Sequence, residues 1–294
     1  MHQTDNASVR WWQALNPPIY LISILPGVAV WLLSDVQGRQ LAAVTAATLA
    51  VVLLQHAINV LNDVSDWRLG ADVDKHHTWV RFHRLALRTT ALHGFVSLTL
   101  GVLLGLAVLA VTDQLRIVLV AAPLVLLGYL YNSGRRPLSY THLGEWITGL
   151  CYAGVFGCLW LLATGNPSRV AAWGSAAFFA LAVALLLSHQ PPQIETDRQA
   201  GKLSFAVRYG AQRTYAGARL LYLLFLLTFG LALLGSTAAT GTTIAFIALA
   251  AATGLPLLRM QPSPRHILAA GSALILGLVL VEALLQPISG NGFD

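Results

Sequence analysis

Charged side chains are scarce in this sequence. Only 10% of the 294 residues are Asp, Glu, Lys or Arg, whereas 56% are hydrophobic. A soluble domain carries about 25% charged residues, so this chain has too few polar side chains to cover a globule in water. The composition excludes an ordinary soluble enzyme and an intrinsically disordered protein. It also makes nucleic-acid binding a poor explanation of the formal net charge of +6, and no nucleic-acid partner is predicted.

Cysteine is nearly absent as well. The two cysteines, Cys151 and Cys158, lie seven residues apart in one apolar stretch. This spacing predicts no disulfide framework, and it favours packing over a redox or metal-binding role.

Long apolar runs, by contrast, are abundant. A stretch of about 20 apolar residues is long enough to cross a bilayer as a helix. Nine such stretches are present, at residues 17–34, 41–61, 90–111, 115–132, 144–164, 170–190, 215–235, 238–259 and 266–286. The sequence therefore predicts an all-α, polytopic membrane bundle of nine transmembrane helices, which forms a single integral-membrane domain over residues 1–294 and lies in a lipid bilayer.

The distribution of Lys and Arg predicts the orientation of this bundle. With nine spans, the N-terminus and the loops after the even-numbered spans share one face. The other face holds only Arg39, Arg116 and Arg169, so the remaining 15 of the 18 basic residues lie on the N-terminal face. The positive-inside rule assigns that face to the cytoplasm. We expect a multi-pass protein of the cell inner (cytoplasmic) membrane, with a cytoplasmic N-terminal segment at residues 1–16.

The few acidic residues are clustered. Six of the 12 lie in two predicted cytoplasmic loops, at about residues 62–89 and 190–213. Asn62 and Asp66 are spaced i, i+4, which places them on the same face if the chain is helical, and Gln193 and Asp197 have the same spacing. Each loop therefore presents a short stripe of oxygen ligands at the end of a membrane helix.

Clustered oxygen ligands favour a hard cation, either magnesium or, as an alternative, manganese. Magnesium usually keeps open positions that substrate phosphate oxygens complete. Basic residues lie beside the acids, so the two segments are suited to bind a metal ion together with a diphosphate. The alternative is that these are solvated loop charges and that the arginines serve topology alone.

Several motifs carry a resemblance to a known family. They are Asn62-Asp63-x-x-Asp66-x-x-x-Gly70-x-Asp72, then Tyr131 with Pro137-Leu138-x-Tyr140-x-x-Leu143-Gly144-Glu145, then Glu195-Thr-Asp197-Arg198-x-x-Gly201-Lys202-x-Ser204-x-Ala206-Val207-Arg208-x-Gly210, with a looser echo in Trp11, Trp12 and Asn16-Pro17-Pro18. In this order they resemble the UbiA superfamily of intramembrane prenyltransferases. The closest similarity is to its MenA-like branch, which prenylates 1,4-dihydroxy-2-naphthoate.

The resemblance implies a magnesium-dependent transfer of a polyprenyl group from polyprenyl diphosphate to a hydroxy-aromatic acceptor, of naphthoate or benzoate type, in quinone biosynthesis. It implies two Mg²⁺ ions held by Asn62, Asp63, Asp66, Asp72, Gln193 and Asp197. The implied catalytic residues are Asp66, Asp197, Lys202 and Tyr131. The predicted substrate-binding residues are Asn59, Arg68, Arg81, Arg135, Arg136, Tyr140, His189, Arg198 and Arg208. Tyr131 and Tyr140 are equally well interpreted as tyrosines of the membrane interface.

The sequence departs from the family pattern at three places. Gln193 stands where the second motif normally begins with Asp, which removes one negative charge from the expected metal site. The segment at residues 75–84 is unusually basic and rich in histidine, as expected either for a membrane-surface segment or for contact with a different acceptor. The stretch at residues 132–136 is more basic than the related one, which suits an anionic acceptor.

Two other functions stay open at this point. One is an enzyme of the same fold that uses a prenyl diphosphate with a non-aromatic fate, such as a terpene cyclase or a phospho-sugar transferase. The other, a transporter, is disfavoured because charges in transporters lie near the bilayer midplane on broken helices, whereas here they lie at one face. Among single residues, His56 is expected either to face the pocket or to be an ordinary hydrogen-bonded helix histidine. Glu145 is expected to cap a helix, and Glu282 to extend towards the outer surface.

Overall fold

The computed structural model of the protein describes residues 9–71 and 75–285. All regular structure in these residues is helical, and nine helices among them are long and apolar enough to cross a membrane. They are α1 (Trp11–Leu33), α2 (Gly38–Leu69), α3 (Leu87–Val111), α4 (Leu115–Asn132), α5 (Gly144–Thr164), α6 (Arg169–His189), α7 (Ala211–Leu234), α8 (Thr240–Arg259) and α9 (Pro264–Leu285). The predicted fold class and number of spans are confirmed.

The main difference from the predicted spans lies at the end of α2. This helix continues eight residues beyond the predicted position 61 and ends at Leu69, because Gly70 adopts a left-handed conformation with φ +86°. Residues 62–69 are therefore helical, although we predicted them as the start of a loop. At the N-terminus, α1 already begins at Trp11 and contains a short 3₁₀ turn at Pro17–Tyr20. The other ends agree within about four residues.

The bundle is built around α6, which packs between α5 and α7 and is largely buried. Phe178 of α6 stacks on Phe156 of α5 with ring centroids 5.3 Å apart. Gly174 lies against the same Phe156 ring, so a side chain at this position would collide with the ring. A second layer is formed by α2 packed on α3, and α1 contacts both α2 and α9.

The outward surface of the bundle is apolar. Leu119, Ile247 and Leu284 are 81%, 70% and 84% exposed. Such side chains on several helices are unfavourable in water and are expected where a helix faces lipid. Together with the nine apolar helices, they identify an integral, multi-pass membrane protein.

The links between helices lie at two opposite ends. At one end, Arg39 donates to the carbonyl of Val111 (2.6 Å) and Arg116 donates to that of Gly165 (2.7 Å). These arginines are two of the three that we assigned to the outer face. The first acidic motif, at the end of α2, and the second, in the link after α6, meet at the other end of the bundle.

Glu282 is buried near the C-terminal end of α9. Its carboxylate accepts hydrogen bonds from the backbone N–H of Ala239 (3.0 Å) and from the Thr242 hydroxyl (2.6 Å), at the start of α8. It therefore satisfies free donors at a helix N-terminus. The expectation that Glu282 extends towards the surface was wrong, because these donors on the neighbouring helix hold the carboxylate in the bundle.

Replacement of Glu282 by alanine should destabilise the bundle. Glu282→Ala leaves the buried Thr242 hydroxyl and the half-buried N–H of Ala239 without an acceptor, which costs about 1–3 kcal/mol. Glu282→Gln keeps one acceptor oxygen and should cost less. Thermal unfolding of the purified protein in detergent measures the effect. The control is Asp35→Ala, which removes an exposed acid from the same end and should change stability by less than about 0.5 kcal/mol. Equal melting temperatures for Glu282→Ala and Asp35→Ala would contradict this role.

Candidate active site

The first acidic motif lies on the last two turns of α2. Asn59, Asn62 and Asp66 share one helix face and line the same cavity. The Asn62 side chain donates to Asp66 Oδ2 at 2.8 Å, and Asp66 is only 3% exposed. Asp63 lies about 100° further around the helix, and it accepts a hydrogen bond from the backbone N–H of Trp79 at 2.7 Å. The structure therefore brings Asn62 and Asp66 into the cavity but not Asp63.

The second motif begins with a kink. Pro191–Gln193 forms a 3₁₀ turn after α6, and a short helix follows at Ile194–Gln199, as the two prolines predict. Gln193 and Asp197 both line the cavity. Asp197 is 4% exposed, and the Ser204 hydroxyl donates to its Oδ2 at 2.8 Å.

Each motif ends in the same turn. Gly70 and Gly201 follow Asp66 and Asp197 by four residues, and both adopt positive φ angles, +86° and +73°. In each case the next backbone N–H returns to the carbonyl of the aspartate, at 2.9 Å in the first motif and 2.8 Å in the second. This is a common way for a helix to end. The equal spacing of the two motifs therefore has a local structural cause.

Lys202 lies between the two motifs. Its ammonium is 3.6 Å from Asp66 Oδ2 and 4.0 Å from Asp197 Oδ1. It also lies 5.2 Å from the centre of the Tyr140 ring, and the Tyr140 hydroxyl donates to Asp66 Oδ1 at 2.8 Å. Two buried carboxylates from distant parts of the chain thus share one cation, which fixes the first motif against the second.

Glu145 holds the second motif against the start of α5. It is 5% exposed, and its carboxylate accepts from Gln190 Nε2 (2.9 Å) and from the backbone N–H of Phe205 (2.6 Å). Arg208 also donates to it, at 3.4 Å. Glu145 stands at the beginning of a helix, as predicted, but its side chain bridges to distant residues instead of serving only as a local cap.

The cavity has a volume of about 370 Å³, and all of its charged lining residues lie at one end. The polar end is lined by Asn59, Asn62, Asp66, Lys75, Glu145, His189, Gln190, Gln193, Asp197, Lys202 and Ser204. The deeper part, between the membrane helices, is lined by apolar side chains such as Ile22, Val51, Leu54, Leu124, Val155 and Leu185. Tyr131 and Tyr152 also face it. A cavity of this kind suits a molecule with an anionic head and an apolar tail.

None of the six predicted arginines lines the cavity. Arg81 stacks over the Trp67 ring at 5.5 Å, and Arg198 pairs with the exposed Glu195 at 2.9 Å. Arg208 pairs with Glu145. Arg68, Arg135 and Arg136 are exposed. Tyr140 does not line the cavity, but its hydroxyl donates to Asp66. Asp72 lies outside the described residues.

Sequence reasoning did not single out Gln190, Tyr152, Lys75 or Ser204 as cavity residues. Gln190 binds both Glu145 and the backbone N–H of Ala206, and no local pattern reveals such distant contacts. Ser204 lies in the second motif, seven residues after Asp197. Its place in that motif is the one feature of the sequence that could have indicated a position in the site.

The oxygen ligands at the polar end fit a hard divalent cation. Asp66 and Asp197 supply carboxylates, and Asn62 and Gln193 add neutral amide oxygens. Within the described ranges, no group of three or more His, Cys, Asp or Glu side chains has metal-binding geometry. A metal ion here would therefore need amide oxygens and substrate oxygens to complete its coordination, as Mg²⁺ usually does. The Lys202 ammonium already shows that a cation is accommodated between the two carboxylates.

Comparisons with known proteins agree with this geometry. Residues 20–267 match the model of the UbiA prenyltransferase family. A 1,4-dihydroxy-2-naphthoate octaprenyltransferase of Mycobacterium tuberculosis is 34% identical over 259 residues, which covers 83% of this chain and 85% of that protein. A chloroplastic 2-carboxy-1,4-naphthoquinone phytyltransferase of Arabidopsis thaliana is 30% identical, and covers 69% of this chain and 55% of that protein.

The fold is also similar to that of solved structures. A UbiA homolog from Archaeoglobus fulgidus, in a structure bound to GPP and Mg²⁺, superposes with a TM-score of 0.63 at 16% sequence identity. The match covers 93% of this chain and 98% of the other. At this identity the similarity concerns the fold alone. Since the family model spans most of the sequence and a relative is 34% identical over 83% of it, this chain belongs to the UbiA prenyltransferase family.

Proposed function

We propose that this protein transfers a polyprenyl group from polyprenyl diphosphate to a naphthoate-type hydroxy-aromatic acceptor in quinone biosynthesis. The observation that carries the proposal is the amphiphilic cavity. Carboxylate and amide oxygens from two distant motifs converge with Lys202 at its polar end, and an apolar interior continues between the membrane helices. The names of the relatives support the naphthoate acceptor, and a benzoate-type acceptor is the alternative within the same chemistry.

The polar end would hold Mg²⁺, with Mn²⁺ as a substitute. Asn62 and Asp66 would help to hold one ion, and Gln193 and Asp197 a second, together with oxygens of the diphosphate. Bound Mg²⁺ supplies Lewis-acid stabilisation of the departing diphosphate. Lys202 is placed to move from the carboxylates to the diphosphate and to stabilise the same negative charge.

The remaining chemistry belongs to the chain itself. Loss of diphosphate leaves an allylic cation at the border between the polar and apolar parts of the cavity. Tyr131 and Tyr152 line this cavity, and aromatic rings stabilise a nearby cation. The apolar walls hold the isoprenoid tail and keep out water, which would otherwise react with the cation. His189 lies at the polar end, where it can contact the acceptor or the diphosphate.

The proposed orientation puts this polar end in the cytoplasm. Its support is the asymmetry of Lys and Arg along the sequence, interpreted with the positive-inside rule. We propose the cell inner membrane as the location, with a cytoplasmic N-terminus. Both substrates would then reach the site from the side on which soluble precursors are made.

Replacement of either buried aspartate should abolish transfer. Asp66→Asn and Asp197→Asn each remove a charge from the metal site, and we expect activity to fall by roughly 100-fold or more. The measurement is prenyl transfer from a polyprenyl diphosphate to 1,4-dihydroxy-2-naphthoate by the purified protein with Mg²⁺. Glu195→Gln is the matched control, because Glu195 is in the same motif but is exposed and should be dispensable. Full activity of the aspartate variants, or of the protein with metal chelated, would contradict the proposal.

Product analysis in the same assay separates the alternatives. Mass spectrometry should detect a prenylated naphthalene ring. A cyclised hydrocarbon, or transfer to a phospho-sugar, would instead support an enzyme of the same fold with a non-aromatic product. The presence of Gln193 in place of the expected Asp is the reason to consider that alternative.

Restoration of an acid at position 193 should strengthen metal binding. Gln193→Asp adds a negative charge at the polar end, and the number of charged ligands sets affinity for hard cations. We expect the Mg²⁺ concentration for half-maximal transfer to fall about tenfold, which corresponds to about 1.4 kcal/mol. Gln199→Asp is the control, since Gln199 is exposed and bonds to Glu195. Equal Mg²⁺ requirements for the two variants would show that position 193 does not bind the ion.

A further inference from the structure

Three histidines form a continuous hydrogen-bonded chain beside the cavity. His56 Nε2 lies 3.0 Å from His93 Nε2, and His93 Nδ1 lies 3.2 Å from His83 Nε2. At the inner end, the Tyr20 hydroxyl lies 2.7 Å from His56 Nδ1. The four residues come from α1, α2, the link before α3 and α3 itself. His56 is therefore a hydrogen-bonded histidine, and it does not line the cavity.

The geometry favours proton transfer over metal binding. His93 uses both of its ring nitrogens, one towards each neighbouring histidine, so the three rings follow one another and do not converge on a point. If Tyr20 donates to His56, each imidazole can donate from its other nitrogen to the next ring. The reverse order is equally consistent, because a neutral imidazole has one donor and one acceptor nitrogen. A chain with two equivalent directions is what a proton relay requires.

The chain connects the cavity wall with the surface. The Asn59 side chain lies close to the Tyr20 hydroxyl, and Asn59 lines the cavity. Ile19 and Gln55, the sequence neighbours of Tyr20 and His56, also line it. At the other end, His83 is followed by three exposed residues, 84–86.

Trp79 packs against all three histidines of the hydrogen-bonded chain. Its indole ring lies 5.1 Å from His56, 4.8 Å from His93 and 6.3 Å from His83, measured between ring centroids. This packing holds the imidazoles in register. Burial also lowers the pKa of His83 below its usual value, so the imidazole is neutral at neutral pH and can accept a proton at one nitrogen while it releases one from the other.

We propose that Tyr20, His56, His93 and His83 relay the hydroxyl proton of the aromatic acceptor from the cavity to the cytoplasmic surface. The proposal rests on the prenyl-transfer function proposed above. The acceptor O–H bond breaks and its electron pair stays on the ring oxygen, which makes the ring a stronger nucleophile. The proton passes through water beside Asn59 to Tyr20, whose own proton moves to His56 Nδ1.

The remaining steps follow the hydrogen bonds. His56 gives its Nε2 proton to His93 Nε2, and His93 gives its Nδ1 proton to His83 Nε2. His83 releases a proton from Nδ1 to solvent, so no charge accumulates in the chain. Between turnovers the resting tautomers return by proton exchange of the imidazoles with water, because the same hops in reverse would carry the proton back to the cavity.

The carboxylates of the cavity are poorly placed for this task. Asp66 and Asp197 face Lys202 and the proposed metal ions, and Glu145 is occupied by Gln190, Phe205 and Arg208. His189 is the other group at the polar end that can accept a proton, and the test below distinguishes it from the relay.

Chemical rescue tests the relay at its surface end. His83→Ala should lower the single-turnover rate of prenyl transfer roughly 100-fold, at the lower end of the range of general acid–base effects. Free imidazole in the buffer should restore most of the lost rate, because it can bind at the surface and accept the proton from His93. His93→Phe should lower the rate similarly, but imidazole should not rescue it, since the break is inside the chain.

Matched controls keep the result interpretable. His77→Ala removes an exposed histidine of the same link and should leave the rate unchanged. Imidazole should have no effect on the wild-type protein.

Two outcomes would overturn the relay. One is a loss of rate in His83→Ala that imidazole does not repair, as expected for a purely structural role of His83. The other is an unchanged rate in both His83→Ala and His93→Phe. A large loss only in His189→Gln would assign the proton to His189 instead. Failure of the wild-type protein to prenylate any aromatic acceptor would refute the proposed function itself, so the two failures are distinct.

Discussion

The contact of one ammonium, that of Lys202, with both Asp66 and Asp197 is the interaction on which the rest of the site depends. A carboxylate buried at the end of a membrane bundle is costly unless it is paired and hydrogen-bonded. Here both carboxylates are almost fully buried, and one ammonium lies within 4.0 Å of each. Tyr140 and Ser204 supply further hydrogen bonds to them. The extension of α2, the kink after α6 and the two glycine turns all serve to bring these three groups together.

The fold was predictable because its determinants are local. Nine apolar runs define the nine helices, and the spacing of Asn62 and Asp66 defines one helix face without any knowledge of the neighbours. The end of α2 was misjudged for a related reason. Polar residues end an apolar run but not a helix, so hydropathy stops at about residue 61 although the helix continues to Leu69.

The parts of the site that could not be predicted depend on contacts between distant residues. Glu145 is surrounded by Gln190 and Phe205, which are 45 and 60 residues away. Asp63 accepts a hydrogen bond from the backbone N–H of Trp79, 16 residues away, and no local pattern indicates that partner. The arginines were the least predictable group. Of all Lys and Arg residues, the cavity is lined only by Lys75 and Lys202 within the described part of the chain, so most of the basic charge contributes to topology and to structural pairing.

The position of Lys202 also has a thermodynamic consequence. A divalent ion that enters between Asp66 and Asp197 must displace an ammonium group that already compensates one of their two negative charges, so part of the binding free energy of the ion is lost to that exchange. A diphosphate offers the displaced ammonium a new anionic partner. The ion and the donor should then each raise the affinity of the site for the other, by the same factor in both directions. A single lysine would in this way make the site respond to the ion–diphosphate pair as a unit, with only a weak response to magnesium alone.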